Sequence, residues 1–159
     1  MIRDLKFNPT ETEFEKPRGV SRVEVRDGYA QVHVRDLKGD MTQARLLVLQ
    51  AVAAAGISID FLKLTPSGLS FLVSEEQATP VGDALTTGAV PHDIHQPRSI
   101  VLVHAVNIRD EEGMIAGIVK TLIETGAPVD HLGDMHDRML VVVPTADAHC
   151  VADRFRETL

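Results

Sequence analysis

The sequence predicts an α+β fold made of two copies of one strand–helix–strand–strand–helix unit. Three observations carry this. Sliding the chain along itself by an offset of 70 brings Gly56 onto Gly126, Asp60 onto Asp130, Leu62 onto Leu132 and Val73 onto Val143 without a gap. Asp40 meets Asp110, Ala78 meets Ala148, Val81 meets Val151 and Asp83 meets Asp153 in the same frame, so the apolar pattern stays in phase throughout. Within each copy the spacing alternates between short apolar runs and helical i, i+3, i+4 recurrence, with Gly or Pro at the changes.

The second copy shows the elements most clearly. Ile100–Val106 is a continuous apolar run, as expected of a buried strand. Ile115, Ile118, Val119, Leu122 and Ile123 then recur at helical spacing along one face. Gly126 supplies a left-handed cap and Pro128 prevents continuation. Val129–Met135 is a second strand, His136–Arg138 a turn and Met139–Val143 a third strand, which Pro144 ends before a helix over Ala146–Thr158. The first copy repeats the order with Ala30–Arg35, Ala44–Ala55, Ile57–Leu64, Leu69–Val73 and a helix near Gln77–Thr86. Its turn, Thr65–Gly68, places Pro and Gly where a tight reversal needs them.

Each copy is one strand short of the ferredoxin-like βαββαβ unit. In the first, Val90–His95 follows the last helix and can act as the fourth strand. The second has no such segment before Leu159, and a buried, unpaired sheet edge is costly. The remaining strand-like segment is Gly19–Gly28, so it is expected to cross over and complete the second unit. The expected organisation is a polar, acidic tail or linker over 1–18, the crossing strand over 19–28, a first unit over 29–98 and a second over 99–159.

Composition narrows the function. With 44% hydrophobic and 25% charged residues the 159-residue chain can bury a core. Its net charge of −7 disfavours nucleic acid, whose binding rests on Lys and Arg displacing counterions. An RNA-binding domain of the same βαββαβ order would need stacking aromatics on its central strands, and "LSFLV" and "MLVVV" offer only Phe71. No apolar stretch reaches bilayer length, so no membrane association is expected. One cysteine, Cys150, makes no internal disulfide and reads as a small core residue; a cytoplasmic location is expected.

The tandem βαββαβ order resembles the ACT-domain family, specifically the paired regulatory ACT domains at the C-terminus of aspartate kinase. "KPRGVSRVEVRDGYAQVHV", after an acidic stretch, is similar to that family's linker and first strands. "GISIDFL" and "GAPVDHL" are similar to its second strands, and "RDEEGMIAGIV" to its loop and helix start. The likeness spans Glu13 to Leu159. It implies a regulatory module that binds an amino-acid end product, lysine or threonine first, and passes feedback inhibition to a separate kinase chain. It also implies a homodimer that buries exposed sheet edges or the helix face carrying Leu46 and Leu47. No Gly-rich phosphate loop followed by Lys occurs, so no kinase activity and no cofactor are expected. The competing expectation is a structural pairing module whose effector sites have decayed.

A free amino acid presents a carboxylate and an ammonium, and a helix N-terminus offers unpaired N–H groups to the first. The resemblance points to the same loops. In the second copy they give Asp110, Glu111, Glu112, Gly113, Met114 and Ile115, facing Pro128, Val129 and Asp130. In the first they give Asp40, Met41, Thr42, Gln43 and Ala44, with Ser58, Ile59, Asp60 and Ser70. The first copy is favoured because Thr42 and Ser58 keep hydrogen-bonding groups, whereas Pro128 lacks a backbone donor. The family's Pro-Gly pair is replaced by Thr42-Gln43 and Glu112-Gly113. Acids here also stabilise a helix start by about 0.3–1 kcal/mol each without any ligand. Among the seven histidines, the nearest sets are His92 with His95 and His131 with His136. Neither has metal-site spacing, and no metal is expected.

Overall fold

The structure is a computed structural model that describes residues 19–159. The expected tail over 1–18 lies outside the described residues. Strand β1 spans Val20–Val34, helix α1 Met41–Ala54, β2 Asp60–Thr65 and β3 Gly68–Ser74. A 3-10 turn over Glu75–Gln77 leads into α2, Ala78–Thr87. Then come β4 over His92–Ala105, α3 over Met114–Glu124, β5 over His131–Asp134, β6 over Arg138–Pro144 and α4 over Thr145–Arg156. No helix of the described residues is long and apolar enough to cross a membrane.

All six strands form one antiparallel sheet in the order β2-β3-β1-β4-β6-β5. Two long strands explain how one sheet holds two units. The first part of β1 pairs with the second part of β4, Val20 with Ala105 through Arg26 with Ile100. The second part of β1 pairs with the first part of β4, Gln31 with His95 through Val34 with His92, and with β3 on its other side. Each unit therefore has four strands, and the N-terminal strand completes the second, as expected.

The sequence expectation is corrected in one respect. Gly19–Gly28 and Ala30–Arg35 are one strand, and so are Val90–His95 and Ile100–Val106. The Asp27–Gly28 pair does not reverse the chain; the register shifts between Arg26 and Tyr29, with Gly28 at φ 89°. A bulge of this kind bends a strand without ending it. Opposite it, β4 carries the cis Gln96–Pro97 bond.

The bends fold the sheet back on itself. One core lies under α1 and α2, where Val48, Val52, Val81 and Leu85 pack on Val32, Leu69 and Phe71. A second lies under α3 and α4, where Ile118, Leu122, Val151 and Phe155 pack on Val101, Val103 and Val141. A third contains no helix residue: Leu72 of β3 meets Ile100 and Leu102 of β4 and Leu140 and Val142 of β6. In a flat sheet β3 and β6 would stand about 14 Å apart, three strand spacings. They meet because the helix-free faces of the two half-sheets are stacked.

Boundaries moved for identifiable reasons. Helix α1 begins at Met41 rather than Ala44 because Asp40 caps it, its carboxylate accepting from the Gln43 N–H at 2.8 Å. Strand β2 begins at Asp60 because Ile57 still bonds back to Val52 O at the end of α1. Cys150, expected in the core, is exposed on α4, and Ile123, expected on the buried stripe of α3, is 70% exposed. Ile118 and Leu122 take that stripe, and the next residue is rotated about 100° away.

Candidate functional site

The two helix-start loops, nearly equivalent in sequence, differ in the structure. At the start of α1 the Asp40 carboxylate occupies the N–H of Gln43, Thr42 and Gln43 are exposed, and Met41 is half-buried. Ser58 and Asp60 are exposed and Ile59 packs on the first core. Arg45 ties this helix to the β2–β3 turn by donating to Gly68 O at 3.0 Å and to Thr65 O. Ser70 points elsewhere, to His33.

At the start of α3 no side chain caps the helix. Gly113 holds the N-cap position at φ 79°, a left-handed conformation that glycine adopts without strain. Ile108, fully buried, anchors the loop before it, and the Asp110 and Glu111 N–H groups turn back onto Asn107 O. An open cleft of 410 Å³ lies beside this helix start. Glu112 and Gly113 of the loop and Met114 and Gly117 of α3 line it, with Val20 and Phe155. A second open cleft, of 520 Å³, lies on the other side of the loop and involves Glu111, Glu112 and Ile115. Neither cleft includes Pro128, Val129 or Asp130.

Asp130 instead turns to the seam between the half-sheets. Its Oδ1 lies 3.2 Å from His95 Nδ1 and 4.0 Å from His33 Nε2, and its Oδ2 accepts from Arg98 Nε. His33 Nδ1 is 2.8 Å from Ser70 Oγ, and the two imidazoles meet edge to face with centroids 5.1 Å apart. Burial alone would raise the Asp130 carboxyl, but the hydrogen bonds and charges of Arg98 and His95 outweigh it and hold the group below its ordinary value. His33 is pushed down, first by burial and then by the neighbouring His95. On the same strand face Gln31 is fully buried; its Nε2 donates to Phe71 O at 3.2 Å and its Oε1 has no partner.

The sequence reading named Asp130 and Ser70 for a different purpose and did not single out His33 or Arg98. A signal was present. Gln31, His33 and Ser70 alternate with Val32, Val34 and Phe71, which in isolation reads as a solvent face. The stacking of the half-sheets covers that face, and strand alternation does not encode stacking.

The geometry is that of two ferredoxin-like units sharing a sheet through crossed long strands, with the helices outside. No protein-family model matches the sequence, and no curated protein matches it. Solved structures do. The chain is similar to the regulatory subunit of aspartate kinase from Thermus flavus, at 19% identity and a TM-score of 0.77, covering 88% of this chain and 98% of that one. It is similar to the structure of aspartokinase alpha and beta subunits at 18% identity and a TM-score of 0.76, covering 87% and 97%. It also matches Escherichia coli aspartokinase III in complex with lysine and aspartate, at 14% identity and a TM-score of 0.69, covering 91% of this chain and 34% of that one. The chain thus has the fold of aspartate kinase regulatory subunits, as the sequence resemblance implies.

Proposed function

We propose that this chain is an amino-acid-binding regulatory module, without catalytic machinery of its own, that acts on a separate kinase chain. Residues 29–98 form the first unit in this reading, 99–159 the second, and 19–28 the strand given to the second. The observation that carries it is the open cleft at the uncapped start of α3. The Met114 N–H is taken by Glu111 O at 3.2 Å, and the N–H groups that follow it, with the positive end of the helix, favour a ligand carboxylate there. Glu112 and the loop carbonyls supply negative charge for an ammonium. Sequence alone favours the first loop; the capped α1 start and the open α3 start favour the second. Aspartokinase III has been solved with lysine, which makes lysine the first ligand to test and threonine the next.

The test is melting temperature against a panel of amino acids. A ligand that binds only the folded chain adds about 2.7 kcal/mol at a hundredfold excess over Kd. Gly117→Leu fills the cleft from a helical position with nothing within 4 Å of a built Cβ. It is expected to abolish the shift; a shift that survives it places the site elsewhere.

A second reading, a pairing module whose effector sites have decayed, is favoured at the first loop. There the Asp40 carboxylate already takes the Gln43 N–H and brings its own negative charge to the helix start. No response to any amino acid would support it for both loops. Assembly as a homodimer fits either reading. Leu46 and Leu47 of α1 are 44% and 65% exposed, and Leu62 and Leu64 of the edge strand β2 are 45% and 58% exposed. Together they offer a continuation of sheet and helix layer to a second copy. Sedimentation should show a dimer that Leu47→Glu dissociates.

A further inference from the structure

We propose that His33, His95 and Asp130 form a binding site for one divalent transition-metal ion of the zinc class, shared between the two units. One ligand atom from each residue lies within 4.8 Å of the other two. Imidazole nitrogen and carboxylate oxygen are the donors zinc takes, at about 2.0–2.2 Å, which puts ligand atoms about 3.3 Å apart in a tetrahedron. His95 Nδ1 and Asp130 Oδ1 are already 3.2 Å apart, and His33 Nε2 stands 4.0 Å from the same oxygen. His33 Nε2 has to move inward, toward both Asp130 Oδ1 and the His95 ring, to close the set, and the fourth position is left for water.

The surroundings match what metal ligands require. A ligating imidazole is oriented by a hydrogen bond at its other nitrogen. His33 Nδ1 lies 2.8 Å from Ser70 Oγ, and donation from Nδ1 to that hydroxyl would leave the Nε2 lone pair free for an ion. A ligating carboxylate is likewise held at its second oxygen, and Arg98 Nε donates to Asp130 Oδ2. All three residues are half-buried, which sets them apart from exposed acidic clusters. The buried Gln31 Oε1, two residues from His33 on the same strand face, is an acceptor without a partner among the described residues.

The three donors come from β1, from β4 beside its bend and from the turn before β5. An ion there would clamp one half-sheet to the other. The chemistry selects borderline ions such as Zn²⁺, Co²⁺ and Ni²⁺ over Mg²⁺ or Ca²⁺, which take oxygen ligands.

The test uses the full chain, stripped with chelator and titrated with Co²⁺ and then Zn²⁺ without any amino acid. One Co²⁺ per chain should bind with visible ligand-field bands, and Zn²⁺ should displace it and raise the melting temperature. His33→Gln, His95→Gln and Asp130→Asn should each weaken binding at least tenfold, and Ser70→Ala about 10–100-fold. His149→Gln, exposed on α4, serves as the control. Where a variant fails to fold, ring ¹⁵N resonances of the unaltered chain report instead; two of the seven histidines should shift with Zn²⁺. Absence of stoichiometric binding, or binding unchanged in both His33→Gln and His95→Gln, overturns the site. With no amino acid present, a negative result bears on the ion site alone.

Discussion

Phe61 of β2 and His131 of β5 stand on the two outermost strands of the sheet, and their ring centroids are 6.4 Å apart. Across a flat six-stranded sheet they would be separated by about 24 Å, five strand spacings. With the helix-free core, this distance states the architecture: the sheet is doubled, and one side chain from each edge strand meets the other. Stability of the doubled form then depends on the helix-free core.

Leu72 is the first place to test that core. It is fully buried and packs only against strand residues of the other unit and its neighbours. Leu72→Ala should cost about 2–5 kcal/mol in denaturant unfolding, the range for a core Leu that leaves a cavity. A loss under 0.5 kcal/mol would mean that the half-sheets are not packed on each other in solution.

Gly68 opens β3 against the backbone of β1. A Cβ built there falls 2.0 Å from Val34 O, a contact no rotamer change relieves. Gly68→Ala should therefore destabilise by at least about 1–3 kcal/mol, the usual cost of overpacking. The first unit should loosen before the second, with amide exchange rising in β2 and β3 first.

Asp40→Ala separates capping from ligand binding. Loss of its bond to the Gln43 N–H should lower stability by about 0.5–2 kcal/mol, with or without amino acid present. If a ligand's stabilising increment also disappears in Asp40→Ala, the first loop takes part in binding after all.

The seam should respond to pH in two windows. His33, His104 and His131 have folded values below the ordinary 6.5, in each case through burial first. The unfolded chain then binds more protons just below pH 6.5, so stability is full above that pH and declines as pH falls toward the folded values. Asp130 is also below its ordinary 3.8, so its contribution is present above that value and is lost as pH falls through the folded one. Melting temperature should fall in the His window and again under strong acid. His33→Asn should flatten the first slope, and an unchanged slope would remove His33 from the account.

Much of this was legible in the sequence because it is local or periodic. The 70-residue repeat follows from matched residues such as Gly56 with Gly126, and the helices follow from the spacing of Val48 with Val52 and Ile118 with Leu122. The need for a crossing strand followed from counting unpaired edges. The site was less legible: two loops of similar composition were separated only by whether a carboxylate folds back on its own helix, as Asp40 does and Gly113 cannot.

By itself the sequence determined the two units, their order of strands and helices, and the strand given to the second unit, because hydrophobic period and backbone pairing are properties of short segments. Tertiary structure alone decided that β1 and β4 run unbroken through their bends, that Ser70 and His33 face inward, and that Asp130 meets His33 and His95. These residues are 37 or more positions apart or lie on opposite units, with His33 and Asp130 brought to 4.0 Å and His33 and Ser70 to 2.8 Å. Alternation along a strand assigns a residue to one face or the other. Whether that face meets water or a second sheet depends on the bend, and the bend is an outcome of packing between segments that no single stretch contains.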